Sequence, residues 1–335
     1  MKRFLLTTII AVAVPLCIAL AIFLWTDPFR TLHQFDICDV DATNREYGSV
    51  ELFRRNYDTY HYDAFVFGSS QASGLNTYTW ATYLPDTVST FLFQAYSETI
   101  TGVKQKVEWL DQQGVDIKYA LVLIDVPGFF SKNQTTTNAV SMKHWRLTGD
   151  KEWVYHAREY ANFLQRPSFW LKNIRRKMVE EKEPFEYDTI TNDFFATNKY
   201  TYNLILPQDS LKNCSEVTRQ TFLARAASVS EDDVKPAPQV IDEKMVNILQ
   251  DIKAVFDKQH TDYRIIITPI YRYTNPYMCE EDFATLTTIF PQERIYDFST
   301  NKEFTSDYND FSDPVHFGLR MGGRILKTIY LQQYR

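Results

Sequence analysis

Glycine is scarce in this chain, 10 of 335 residues, and the glycine-rich signatures that cradle nucleotide phosphates are missing. Neither a P-loop nor a Gly-x-Gly-x-x-Gly fingerprint occurs. Four cysteines are present, Cys17, Cys38, Cys214 and Cys279. None forms a CxxC pair or stands at zinc-ligand spacing, so no metal and no cofactor is expected from motifs. Cys17 lies in an apolar segment, which leaves at most one disulfide among the other three. A block of Lys/Arg is also lacking. Lys2 and Arg3 are the only charges before Asp27, leaving 34 Lys/Arg against 42 Asp/Glu beyond Trp25. An acidic body without a basic patch argues against nucleic acid as the main partner. No repeat or low-complexity tract interrupts the chain, and 44% hydrophobic with 23% charged residues excludes wholesale disorder. The 21 Tyr and 24 Phe suit either a filled core or a carbohydrate-facing surface.

What is present begins with an uncharged run from Phe4 to Trp25, FLLTTIIAVAVPLCIALAIFLW. As a helix it spans roughly 33 Å, enough to cross a bilayer core, and Pro15 is tolerated in such a span. Lys2 and Arg3 place residues 1–3 in the cytoplasm and residues 26–335 on the outer side. The alternative is a cleaved signal peptide. Its apolar region is normally shorter and ends in small residues, whereas this run ends in Ile22-Phe23-Leu24-Trp25. Val14-Pro15-Leu16-Cys17 also lacks the small residue expected before a lipidated cysteine. An uncleaved anchor in a single-pass inner or plasma membrane protein is the expectation.

Five short apolar runs follow: Ala64–Gly68, Val88–Gln94, Tyr119–Asp125, Tyr263–Pro269 and Arg294–Phe298. Strands apolar on both faces belong to a covered parallel sheet. Helical periodicity separates them at Val103–Gln113, which stops at Gly114, and at Ile241–Lys258, and Leu319–Leu331 closes the chain. The alternation predicts a doubly wound α/β domain whose ligands bind at the carboxyl ends of the strands. Residues 130–236 intervene between the third and fourth strands. They are aromatic and basic at first (Trp145, Trp153, Trp170, Arg175, Arg176, Lys177), then polar with several prolines, and are expected to form a helical insertion.

The first strand runs into Gly68-Ser69-Ser70. A serine past a parallel strand, at a helix start, sits where backbone N–H groups stabilise negative charge. Gly68 allows a tight turn. Alone, the triplet also reads as a turn or helix cap. Asp313-Pro314-Val315-His316 then precedes the last helix. That spacing lets the carboxylate reach the imidazole Nδ1 and leaves Nε2 to take a proton from a serine. Taken singly, Asp313 also reads as a helix cap and His316 as a surface residue. His144 and His156 do not form a metal pair, and His33, His61 and His260 have no chemical context. Asn133-Gln134-Thr135 and Asn213-Cys214-Ser215 match the glycosylation sequon.

Phe67-Gly68-Ser69-Ser70 with Asp313-x-x-His316, together with Ile267-Thr268-Pro269, Ile295-Tyr296-Asp297-Phe298 and Asp27-Pro28 after the anchor, resembles the SGNH-hydrolase superfamily. The likeness is to its membrane-anchored branch near polysaccharide O-acetylation and teichoic-acid D-alanylation proteins. The resemblance covers the anchor and both ends of the body, and covers Phe130–Pro236 poorly. It implies a flavodoxin-like three-layer α/β sandwich and a triad of Ser70, His316 and Asp313. The implied activity is transfer of acetyl or another small acyl group to a cell-surface glycan or polymer. A membrane-bound O-acyltransferase is the implied partner. The superfamily's second-strand glycine and third-strand asparagine are absent. Gln94-Ala95-Tyr96-Ser97 and Asp125 stand there instead, so the Ser70 N–H and the backbone near Ala95 remain as oxyanion donors. Gly68, Ser69, Ala95, Ser97 and Asp125 complete the candidate pocket. An esterase on the same triad, and a non-catalytic scaffold for the membrane partner, stay open beside acyl transfer.

Overall fold

Strands that bury both faces read as apolar runs, and the chain supplies such runs at β1 (Ala64–Gly68), β2 (Thr90–Gln94, polar only at its two ends) and β3 (Tyr119–Ile124). With β4 (Asp262–Ile267) and β5 (Ile295–Asp297) they form one parallel sheet in the order β2-β1-β3-β4-β5. The computed structural model describes residues 1–33, 44–126, 128–131, 139, 141–179, 196–197, 204–205, 224, 227, 235–271, 276–311 and 315–331. All five expected strands occur within one to two residues of their expected ends.

The helices whose ends lie among the described residues are α1 (Lys2–Thr26), α2 (Arg45–Tyr60), α3 (Thr77–Ala81), α4 (Ile100–Gln112), α5 (Trp145–Thr148), α6 (Glu152–Leu164), α7 (Pro167–Val179), α8 (Glu243–Lys258), α9 (Glu280–Ile289), α10 (Lys302–Thr305) and α11 (Leu319–Leu331). Their ends follow local chemistry. Thr99 caps α4 through the Gly102 N–H and Asp242 caps α8 through the Met245 N–H. Gly114, at φ +73°, ends α4 where a side chain would be strained.

The chain divides into two compact units: residues 1–48 with 135–194, and residues 49–134 with 195–335. The first part of the stretch between β3 and β4 thus groups with the N-terminal segment. In that unit α6 and α7 pack on α1. Phe23, Phe29 and Phe163 share a core, with Tyr160 and Trp170 against it. The Asp27 carboxylate accepts the N–H groups of Thr31, Leu32 and His33, fixing the exit from α1. Helix α1 has mean hydropathy 2.7 over its most apolar stretch and is long enough to cross a membrane.

In the second unit the aromatic load fills the core. Phe53 on α2 meets Phe65, Phe91, Phe93 and Trp109 at ring separations of 5.6–6.0 Å. Trp80 and Phe67 are also fully buried. Cys38, Cys214, Asn133 and Asn213 lie outside the described residues.

Candidate active site

In a parallel sheet ordered 2-1-3-4-5, connections from β1 and β3 leave in opposite directions and open a crevice at their carboxyl ends. Both ends carry polar groups here. After β1 the chain turns at Gly68-Ser69 into a short 3-10 turn, Ser70–Gly74. A Cβ on Gly68 would stand 3.0 Å from the Leu123 Cβ and 3.2 Å from the Ala72 Cβ, so the turn lies tightly on β3. Ser69 caps the turn, accepting the Gln71 N–H, and donates its hydroxyl to Asp125 Oδ2 at 2.8 Å. Ser70, half-buried, points the other way. Its Oγ is 2.8 Å from His316 Nε2, across 246 residues of sequence.

That meeting depends on two glycines not singled out from the sequence. A Cβ on Gly74 would stand 2.4 Å from the Phe317 ring, and one on Gly322 of α11 would stand 1.9 Å from the Gly74 carbonyl oxygen. Bare backbone at both positions lets the His316 loop and α11 close onto the Ser70 turn. The loop is further held by Asp310, whose buried carboxylate accepts from Arg320 Nε at 2.6 Å and from an Arg324 Nη at 2.7 Å. The Asp310 carbonyl accepts the Gly318 N–H at 2.7 Å. Asp313 lies outside the described residues.

Asp125 follows β3. Its Oδ1 is buried and has no hydrogen-bond partner. Burial pushes the carboxyl up to about 7, against the Ser69 hydroxyl and the nearby His316, which favour the ionised form, and with Glu98, which opposes it. Glu98 is fully buried against the Lys106 ammonium. Gln94, also fully buried, accepts the Ser73 hydroxyl at 2.6 Å through Oε1, while its Nε2 has no partner. Ser73, Glu98 and Asp310 were missed in the sequence because lone polar residues outside a motif have no signature spacing, and Gln94 stood out only as part of the segment that replaces the second-strand glycine.

The other pocket candidates divide. The Ala95 N–H is not available as an oxyanion donor, because it donates to the Gly68 carbonyl at 3.2 Å. Ser97 is exposed at φ +49°, with no hydrogen bond to Ser70 or His316. Ser69 takes up the Gln71 and Ala72 N–H groups. The Ser70 N–H, first in the 3-10 turn, is left as the donor at the helix start. A cavity of about 530 Å³ opens where β3 exits and α8 begins, lined by Phe130, Ser131 and Gln239 to Asp242.

The remaining histidines of chemical interest have structural surroundings in the first unit. Buried His144 caps α5 through the Arg146 N–H and lies against Tyr47. His156 pairs with buried Glu159 at 2.7 Å. Among the described residues, no three His, Cys, Asp or Glu side chains converge to hold a metal ion.

Compared with protein-family models and with curated proteins, the chain matches none. The functional case therefore stands on the geometry and on the residue pattern.

Proposed function

We propose that the protein is a membrane-anchored serine acyl-handling enzyme of the SGNH-hydrolase type. In this reading it transfers acetyl or another small acyl group to a cell-surface glycan or polymer. The observation that carries the proposal is the 2.8 Å approach of Ser70 Oγ to His316 Nε2 at the carboxyl edge of a parallel sheet. A hydroxyl within hydrogen-bond reach of an imidazole nitrogen is the arrangement that activates serine. Ser70 Oγ attacks the donor's ester carbonyl as His316 Nε2 takes its proton. The Ser70 N–H faces the oxyanion. Collapse expels the donor alcohol, which receives the proton from His316 and leaves the acyl group on Ser70. An acceptor hydroxyl, deprotonated by His316, then attacks the acyl-serine; the acyl–Oγ bond breaks, the acyl group leaves on the acceptor, and His316 returns the proton to Ser70 Oγ. Asp313 orients His316 in this scheme.

Helix α1 serves as the anchor, with Lys2 and Arg3 cytoplasmic and the body outside. Tethering raises the effective concentration of Ser70 near a membrane-delivered donor, supplied by a membrane-bound O-acyltransferase partner. A second reading, a partner-dependent or non-catalytic scaffold, is favoured by one observation. The Ala95 N–H is spent on Gly68, and an oxyanion site short of one donor slows chemistry by about 10²–10³.

Intact-mass labelling of the full chain in detergent with a serine-reactive fluorophosphonate tests the proposal. One adduct is expected, absent in Ser70→Ala and reduced at least about a thousandfold in rate in His316→Ala. A folded wild-type protein that takes no adduct, with or without the membrane partner, overturns the catalytic reading.

A further inference from the structure

Helix α7 reverses the charge of the chain around it. Its sequence, PSFWLKNIRRKMV, holds four basic residues and no acidic one, in a chain with net charge −6. It is also apolar on an open side. Leu171 and Met178, 71% and 70% exposed, stand seven residues apart and so lie on one face, with Ile174 between them. The neighbouring face is used up. Trp170 stacks on Phe163 at 4.9 Å, and Asn173 is buried. The Leu171–Met178 face is therefore a second apolar stripe, beyond the one the fold consumes.

The level of this hairpin along α1 is set by its contacts. The Tyr160 hydroxyl on α6 donates to the Leu16 carbonyl at 2.6 Å, and Leu16 lies inside the uncharged Phe4–Trp25 run. Phe23, near the end of that run, packs on Tyr160 and Phe163 at ring separations of 5.5 Å. If α1 crosses a bilayer, helices packed on its C-terminal half stand at the level of the leaflet there. An exposed apolar stripe flanked by Lys and Arg is the surface such a leaflet accepts. The apolar side chains enter the acyl boundary while long basic side chains reach the headgroups.

We infer that α7 is a membrane-interface helix. Leu171, Ile174 and Met178 enter the acyl boundary of the leaflet beside α1, and Lys172, Arg175 and Lys177 meet anionic lipid headgroups. This rests on the anchor reading of α1 and adds to it a second, peripheral attachment of the same unit. The attachment fixes the first unit against the bilayer instead of letting it swing on one helix.

The test uses the full chain with its four cysteines replaced by alanine and one cysteine restored at Leu171, Met178, Ile10 or Arg158. Ile10 reports on α1. Arg158 lies on the opposite side of α6 from Tyr160, two residues away. Each variant carries an environment-sensitive fluorophore and is placed in nanodiscs containing lipids brominated along the acyl chain, with phosphatidylcholine alone or with added phosphatidylglycerol. Quenching is expected at Ile10, Leu171 and Met178 and not at Arg158. It should deepen at 171 and 178 with phosphatidylglycerol, and that deepening should be lost in the Lys172→Glu, Arg175→Glu, Lys177→Glu triple variant. Quenching at Ile10 with none at 171 and 178 overturns the inference and leaves the anchor standing. No quenching at Ile10 removes the anchor reading and the inference with it.

Discussion

A buried carboxyl that titrates near neutrality leaves a mark on stability, and Asp125 is placed to leave one. Burial raises it to about 7, whereas an unfolded chain releases the same proton near 4. Between those values the native state holds a proton that the unfolded state has lost. The stability contributed by this group is therefore full below about pH 4 and is lost as pH rises through 7. Asn at this position keeps an oxygen for the Ser69 hydroxyl and never ionises. Asp125→Asn should match wild type in thermal stability at pH 4 and exceed it by a few kcal/mol, on the order of three pKa units, at pH 8. Melting both proteins across that range checks this, and a difference independent of pH would refute it. The identity of Asp125 at the strand edge was readable in the sequence. Its Ser69 partner and buried Oδ1 were not, because burial arises from elements far away in the chain.

At the scale of elements, the contact between α11 and the Ser70 turn decides whether the candidate site exists. Gly322 and Gly323 are adjacent in α11, yet their surroundings differ. A Cβ at 322 would meet the Gly74 carbonyl at 1.9 Å, and one at 323 would meet nothing within 4 Å. The obstacle at 322 is backbone and cannot rotate away. Gly322→Ala should displace the Ser70 turn from His316, cost about 1–3 kcal/mol or more, and suppress fluorophosphonate labelling. Gly323→Ala should leave labelling intact and stabilise by roughly 0.5–1 kcal/mol, because alanine is the better helix former. Equal behaviour of the two variants would show that the packing is not what holds the site. The five strands, the 3.6-residue periodicity of α4 and α8, and the span of α11 were legible because hydrophobic pattern is local. The order β2-β1-β3-β4-β5 was not legible, because strand-helix alternation and right-handed crossovers leave more than one parallel order open. The pairing of Gly74 with Gly322 was illegible, since nothing within either segment marks a partner 248 positions away.

For the molecule as a whole, the open question from sequence was whether the apolar N-terminus stays. A peptidase that removes a signal peptide leaves a body able to fold without it, and the first unit here is built around its leader. Ala19, Phe23, Thr26 and Asp27 are buried, Phe23 fills the core beside Phe29 and Phe163, and Asp27 holds the next segment through three N–H groups. A Phe side chain so placed contributes about 2–3 kcal/mol, and losing α1 would also bare Tyr160 and Trp170. The sequence marked the segment as apolar, but its seating on α6 was hidden because Tyr160 lies 144 residues from Leu16. Protein purified from membranes should accordingly retain residues 1–26, read as an intact mass that includes them. A chain starting at Asp27 should lose hydrogen-exchange protection across α6 and α7 while β1, β3 and β4 keep theirs, since the sheet has its own core. Recovery of a mature chain lacking residues 1–26, with α6 and α7 protected as before, would make α1 a removable leader and overturn the anchor reading.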